Sequence, residues 1–143
     1  MAVLDTGNIV KAIYDNFNKR SFDETKKLLA DNVQVTDVPS GQTLKGHEGY
    51  RNFEQGWITA FPDAKTEVVN VVASPDSAVV EFRGRGTHKG PLKAGTSEMA
   101  ATGKKLDLAF CEVYVFKNGK ISDVRLYYDA ASMASQLGLK PSR

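Results

Sequence analysis

The chain has 143 residues, 41% hydrophobic and 25% charged, which suits one domain over 1–143 that buries a core and leaves room for a pocket. Its net charge of +2 comes without a basic block, which argues against nucleic-acid binding, while one cysteine and two histidines leave neither an internal disulfide nor a zinc-ligand cluster. No apolar run approaches the ~20 residues of a membrane span, and the start lacks a signal-peptide pattern, so a cytoplasmic protein free of membrane is expected.

From Thr6, residues Ile9, Ile13 and Phe17 recur at helical spacing and predict a first amphipathic helix that also carries Tyr14. Ser21 with Glu24 three residues on forms a capping-box pattern for a short second helix reaching Leu28 and Leu29. Residues 32–38 alternate as a strand, with Asp37 on the face of Val33 and Val35, and end in a "PSGQ" turn. A third helix follows, in which Tyr50, Phe53, Trp57 and Phe61 make an aromatic stripe that ends at Pro62. Such a stripe builds a core, and it can also wall an apolar pocket.

The remainder reads as strands over 66–73, 78–89, 105–117 and 120–129, with a polar loop from about 93 to 103 and a last short helix before Gly138. Helices first and strands later indicate an α+β fold with an antiparallel sheet. Along 78–89, His88 shares a face with Val80 and Phe82 and therefore points inward, either bonded within the fold or orienting a ligand. Met99, in the polar loop, is read as part of a lid over a pocket.

Asn118-Gly119 is the strongest hairpin turn in the chain. With Lys117 opposite Lys120, regular pairing puts Phe116 with Ile121, Tyr114 with Asp123, Glu112 with Arg125, Phe110 with Tyr127 and Leu108 with Asp129 on one face. The other face carries Val113, Val124, Cys111, Leu126, Ala109 and Tyr128. The aromatic face with embedded charges would line a cavity, and the aliphatic face would be covered by a second copy in a homodimer.

The stretches "AFPDAKTEV", "GRGTHKGPL", "ATGKKLDL", "FKNGKISDV" and "DAASMASQLGL" together resemble the SnoaL-like polyketide cyclase branch of the nuclear transport factor 2-like superfamily. The resemblance implies a cone-shaped α+β barrel, its curved antiparallel sheet wrapped around three helices and a deep pocket, in a dimer. It further implies an intramolecular aldol step on an aromatic polyketide intermediate, without metal or cofactor, with an acid near the end of the last strand moving the proton. Asp129 sits where that acid is expected, although many relatives read Trp-Asp where this chain has Arg125-Leu126. By position in the fold, Asp37, Glu112 and Tyr14 also resemble the base, the proton-donating acid and the tyrosine of ketosteroid isomerase.

The expected function is therefore general acid-base proton transfer on a hydrophobic, enolisable small molecule, in cyclisation or isomerisation. Asp129 and His88 are the candidate catalytic residues. Tyr14, Asp37, Trp57, Phe61, Phe110, Glu112, Tyr114, Arg125 and Tyr127 are the candidate pocket residues. The alternative is a non-catalytic domain of the same fold, using the pocket for a ligand or the sheet face for association.

Overall fold

The computed structural model describes residues 4–94 and 97–139. In chain order these form α1 (Thr6–Asn18), α2 (Phe22–Lys26), β1 (Leu29–Asp37), β2 (Gln42–Lys45), α3 (Gly46–Ala60), β3 (Lys65–Ser74), β4 (Ser77–Thr87), β5 (Leu92–Ala94), β6 (Ser97–Met99), β7 (Lys105–Lys117), β8 (Lys120–Tyr128) and α4 (Ala130–Gln136). Six strands make one curved sheet in the order β2-β1-β8-β7-β4-β3, and β5 and β6 form a separate two-stranded ribbon. The α+β barrel is as expected. The pairing is antiparallel except between β1 and β8, which run parallel.

Helix α1 packs on β3 at one edge of the sheet, and α3 packs on β1 towards the other. Strands β8, β7 and β4 thus span the gap between two amphipathic helices. Strand β7 alternates strictly, burying Leu106, Leu108, Phe110, Tyr114 and Phe116, and the same alternation turns Glu112 inward. In β4 the inward series Ala78, Val80 and Phe82 gives way to Gly84 and Gly86. A Cβ at Gly84 would come within 2.7 Å of the Phe110 ring and one at Gly86 within 2.9 Å of Phe61 Cβ, so these glycines admit two aromatics that a side chain would displace.

Several expected features take another form. The second helix ends at Lys26 and Leu29 already belongs to β1; Ser21 is the N-cap residue of α2, but its hydroxyl makes no capping bond. The segment after the "PSGQ" turn adds β2 to the edge of the sheet. Met99 lies in β6, partly buried against the core, where the sequence suggested a lid; residues 95 and 96 of that loop lie outside the described part.

The largest difference is the register of the last hairpin. Asn118 and Gly119 have the positive φ values of 52° and 78° that the turn requires, and Lys117 does pair with Lys120 and Phe116 with Ile121. Ser122 is then an extra residue, its hydroxyl donating to the Val115 carbonyl at 3.1 Å, and the next pair is Val115 with Asp123. From there every side chain of β8 faces opposite to the regular register. Val124 and Leu126 enter the core at 0% and 2% exposure, which regular pairing would have spent on Arg125 and Tyr127. Glu112 therefore pairs with Leu126, and Arg125 lies on the outer face with Asp123, 2.7 Å from its carboxylate.

Candidate functional site

Between the helices and the sheet lies a cavity of about 640 Å³ of empty space, its open mouth included. Ile13, Tyr14 and Phe17 of α1 form one wall, and Tyr50, Phe53, Glu54 and Trp57 of α3 another. Phe82 of β4 and Phe110 of β7 stack with ring centroids 5.2 Å apart to make the sheet wall. Phe61, after α3, stacks on Trp57, which meets Phe110 edge-on at 5.8 Å. The exposed Lys65 and Arg85 line the outer end, where Arg85 is engaged by Glu67 and Asp107. The walls are thus aromatic, with two carboxyl groups set into them.

Glu112 is 5% exposed. Its Oε1 accepts a hydrogen bond from the Tyr14 hydroxyl at 2.7 Å and another from Tyr114 at 3.0 Å, and the two hydroxyls lie 2.8 Å apart. Oε2 has no hydrogen-bond partner among the described residues. Burial pushes the Glu112 carboxyl up to about 7, while the two tyrosine hydrogen bonds pull the other way. Burial first, and then the Glu112 charge, raises the pKa of Tyr14 and Tyr114 well above the ordinary phenol value, so both remain neutral donors.

Glu54 is the second carboxyl, 8% exposed and without a hydrogen-bond partner among the described residues. Burial raises it to about 8, the nearby Glu112 charge adds to the rise, and Arg20 partly offsets it. Both groups titrate near neutrality because water is largely excluded from their surroundings, the condition that suits a carboxyl group to acid-base chemistry.

Of the residues singled out in the sequence, Tyr14, Trp57, Phe61, Phe110 and Glu112 line this cavity, and Tyr114 is joined to it by its hydroxyl. Arg125 and Tyr127 are carried to the outer face by the bulge at Ser122. Asp37 lies behind the wall: Tyr128 donates to its two oxygens at 3.1 and 3.0 Å, and the Tyr128 ring packs against Trp57 and Phe110. His88 is inward and fully buried, but it is not part of the lining. The Thr102 backbone N–H donates to its Nδ1 at 3.3 Å, which makes Nδ1 an acceptor and leaves the ring proton on Nε2. Together with the backbone bonds His88 N–H to Lys104 and Gly103 N–H to His88, this ties the loop before β7 to the end of β4.

Asp129, like His88, lies outside the lining of the cavity. It is the exposed N-cap of α4, its carboxylate accepting from the Ala131 and Ser132 backbone N–H groups and from the Ser132 hydroxyl. Those bonds, that of the Ser132 hydroxyl first, hold its carboxyl below the ordinary value, opposite to the rise a pocket acid needs. Asp129→Ala is expected to lower the urea midpoint of unfolding and to leave the affinity for an aromatic ligand such as 2-naphthol unchanged.

Glu54 was missed by the sequence reading. The signal was present: it follows Tyr50 by four residues and precedes Trp57 by three, an acid on the aromatic stripe itself. Among the described residues no three His, Cys, Asp or Glu side chains converge to hold a metal ion, and no helix is long and apolar enough to cross a membrane.

The family model for SnoaL-like polyketide cyclases matches residues 8–137. The chain belongs to the SnoaL-like polyketide cyclase family. Its fold is that of a protein from Jannaschia sp. CCS1 described as a SnoaL-like polyketide cyclase, with a TM-score of 0.83 at 19% identity over 99% of this chain and 98% of the other. IdmH from Streptomyces antibioticus, described as a polyketide cyclase, gives 0.78 at 20% identity over 94% and 99% of the two chains. A protein of ketosteroid isomerase-like fold from Catenulispora acidiphila, solved with trimethylamine, gives 0.75 at 17% identity over 92% and 93%. At these identities the structural likeness carries the fold alone. No curated protein is significantly similar in sequence.

Proposed function

We propose that this member of the family is a cofactor-independent enzyme that moves a proton on an apolar, enolisable small molecule, as a step in intramolecular aldol cyclisation or isomerisation. Glu112 is the general base. The observation that carries this reading is a buried carboxyl whose Oε1 is held by two phenol hydroxyls while Oε2 has no hydrogen-bond partner among the described residues, in an aromatic cavity. Two donors on one oxygen favour the carboxylate and fix its direction, and a base with a pKa near 7 is half ionised at neutral pH without being too weak to accept a carbon-bound proton. The aromatic walls would hold a flat ring system by area and stacking. The family's name, and the descriptions of relatives as cyclases, agree with that chemistry.

The experiment is deuterium exchange at C1 of 2-tetralone, an apolar ketone with activated α-protons, followed by proton NMR in D₂O. Exchange above the buffer rate by the wild type supports the reading, and exchange at the buffer rate at every pH contradicts it.

The outer face of the sheet supports association with a second copy of the chain. Val72, Val79 and Val113 form a continuous row from β3 through β4 to β7, and Val69, Val72 and Tyr127 are 64%, 61% and 41% exposed. Sedimentation is expected to show a dimer that Val72→Lys weakens; a wild-type monomer at all concentrations contradicts it.

A further inference from the structure

Two carboxyl groups enter one apolar cavity from different walls, Glu54 from α3 and Glu112 from β7. Their circumstances differ. Glu112 receives two phenol hydroxyls, whereas Glu54 receives no hydrogen bond from the described residues. Two negative charges in one poorly solvated space repel each other, so near neutrality the pair holds a single charge, and the carboxyl with two donors carries it. The proton then resides on Glu54. Burial and the Glu112 charge act on Glu54 in that same direction.

We propose that Glu54 is the second catalytic group of this cavity, a neutral carboxylic acid that gives its proton to the oxygen of a bound ketone as Glu112 removes one from the adjacent carbon. The inference rests on the reading of Glu112 as base. In the step, the Glu112 carboxylate takes the α-proton and the C–H electron pair becomes the C=C bond. The carbonyl π pair moves onto oxygen, which takes the proton of Glu54. An enol forms, Glu112 ends protonated and Glu54 ionised, and the cavity holds one negative charge before and after. No new charge is created in apolar surroundings, which is the physical advantage of a pair over a single base. Protonation of a different carbon completes an isomerisation; attack of the enol carbon on a second carbonyl of the same molecule closes a ring.

The same accounting defines the substrate class. An anionic substrate would add a second negative charge to the buried pair, so the cavity suits a neutral carbonyl compound with an acidic α-C–H and an aromatic or polycyclic body. Apart from Glu112 on β7, the charged group that acts on Glu54 is Arg20, beyond the end of α1; burial first, and then the charges of Glu54 and Glu112, keep the neighbouring Tyr50 hydroxyl neutral, and Tyr14 and Tyr114 complete the cluster around Glu112 and stay neutral. Lys65 and Arg85 lie at the outer end.

The pH dependence of 2-tetralone exchange tests the assignment. Wild-type exchange should rise as Glu112 ionises near 7 and fall as Glu54 ionises near 8, giving a narrow bell. Glu54→Gln keeps the size and the neutral state but cannot ionise, so the alkaline fall should vanish, with the maximal rate about 10–100-fold lower. A purely structural role would leave the fall in place. Retention of the alkaline fall in Glu54→Gln overturns the proposal. A wild-type profile that rises and does not fall does so too, even should the variant fail to fold, and leaves Glu112 as base intact. Absence of wild-type exchange at every pH removes both.

Discussion

Glu112→Gln is expected to lower the rate of α-proton exchange by about 10²–10⁴-fold, without lowering the stability of the fold at neutral pH. Glutamine matches the protonated carboxyl in size and can still accept from Tyr14 and Tyr114 through its amide oxygen, so the cluster around that oxygen is kept. It has no charge to desolvate and no basic oxygen to receive a proton. Loss of exchange with retained 2-naphthol affinity is the expected pattern. Exchange within tenfold of the wild type would move the base elsewhere, and loss of affinity together with exchange would make Glu112 a binding residue. Stability serves as an internal control, because removal of an ordinary buried hydrogen-bonding partner destabilises, whereas removal of a buried charge does the opposite.

The second expected result follows from the same burial. Glu54 and Glu112 have folded-state pKa values of about 8 and about 7, against an ordinary value of 4.5. Between 4.5 and those values the folded chain binds more protons than the unfolded one, so unfolding free energy falls as pH rises. The contribution is fully present below about 4.5 and is lost as pH rises through 7 and 8. Taken together the two groups should lower the unfolding free energy by on the order of 8 kcal/mol across that window. Glu54→Gln or Glu112→Gln should each remove its part of the slope, so that either variant is more stable than the wild type at pH 8.5 and close to it at pH 5. Urea unfolding at a series of pH values measures this, and a wild-type curve flat between pH 5 and 8.5 would contradict the burial of both charges. Asp63, whose carboxylate is bound by the Thr87 backbone N–H and hydroxyl, is held low and acts only at more acid pH, outside this window.

Much of the cavity could be read from local periodicity. The α3 stripe and the alternation of β7 each give a run of side chains whose common face is set by backbone geometry alone, and they meet in the structure as Trp57 against Phe110. The same alternation turns Glu112 inward. What failed was the phase of β8. The Asn118-Gly119 turn specifies only the first two pairs, and one extra residue at Ser122 reverses everything beyond it. Ile121, Val124 and Leu126 are separated by three and then by two, a change of phase that marks such a bulge once the burial of all three is considered together.

Asp129 illustrates a different limit. Followed by two alanines and Ser132 at the start of a helix, it satisfies the local rule for an N-cap, and the local role is the one it takes. Only its position relative to the family pattern points to the pocket. The parallel pairing of β1 with β8 joins segments about ninety residues apart and leaves no trace in local pattern. Glu54 was legible and overlooked, because an acid on a helix is ordinarily solvated; only the enclosure of its face by α1 and the sheet makes it a buried titrating group.

The most direct test is a carbon-13 NMR titration of the glutamate side-chain carboxyls, with Glu54 and Glu112 assigned by their glutamine variants. Two resonances titrating near pH 7 and pH 8 are expected, coupled so that loss of Glu112 moves the Glu54 midpoint downward. If every glutamate titrates between about pH 4 and pH 5, the ordinary range, the cavity is open to water and the proton-transfer pair does not exist.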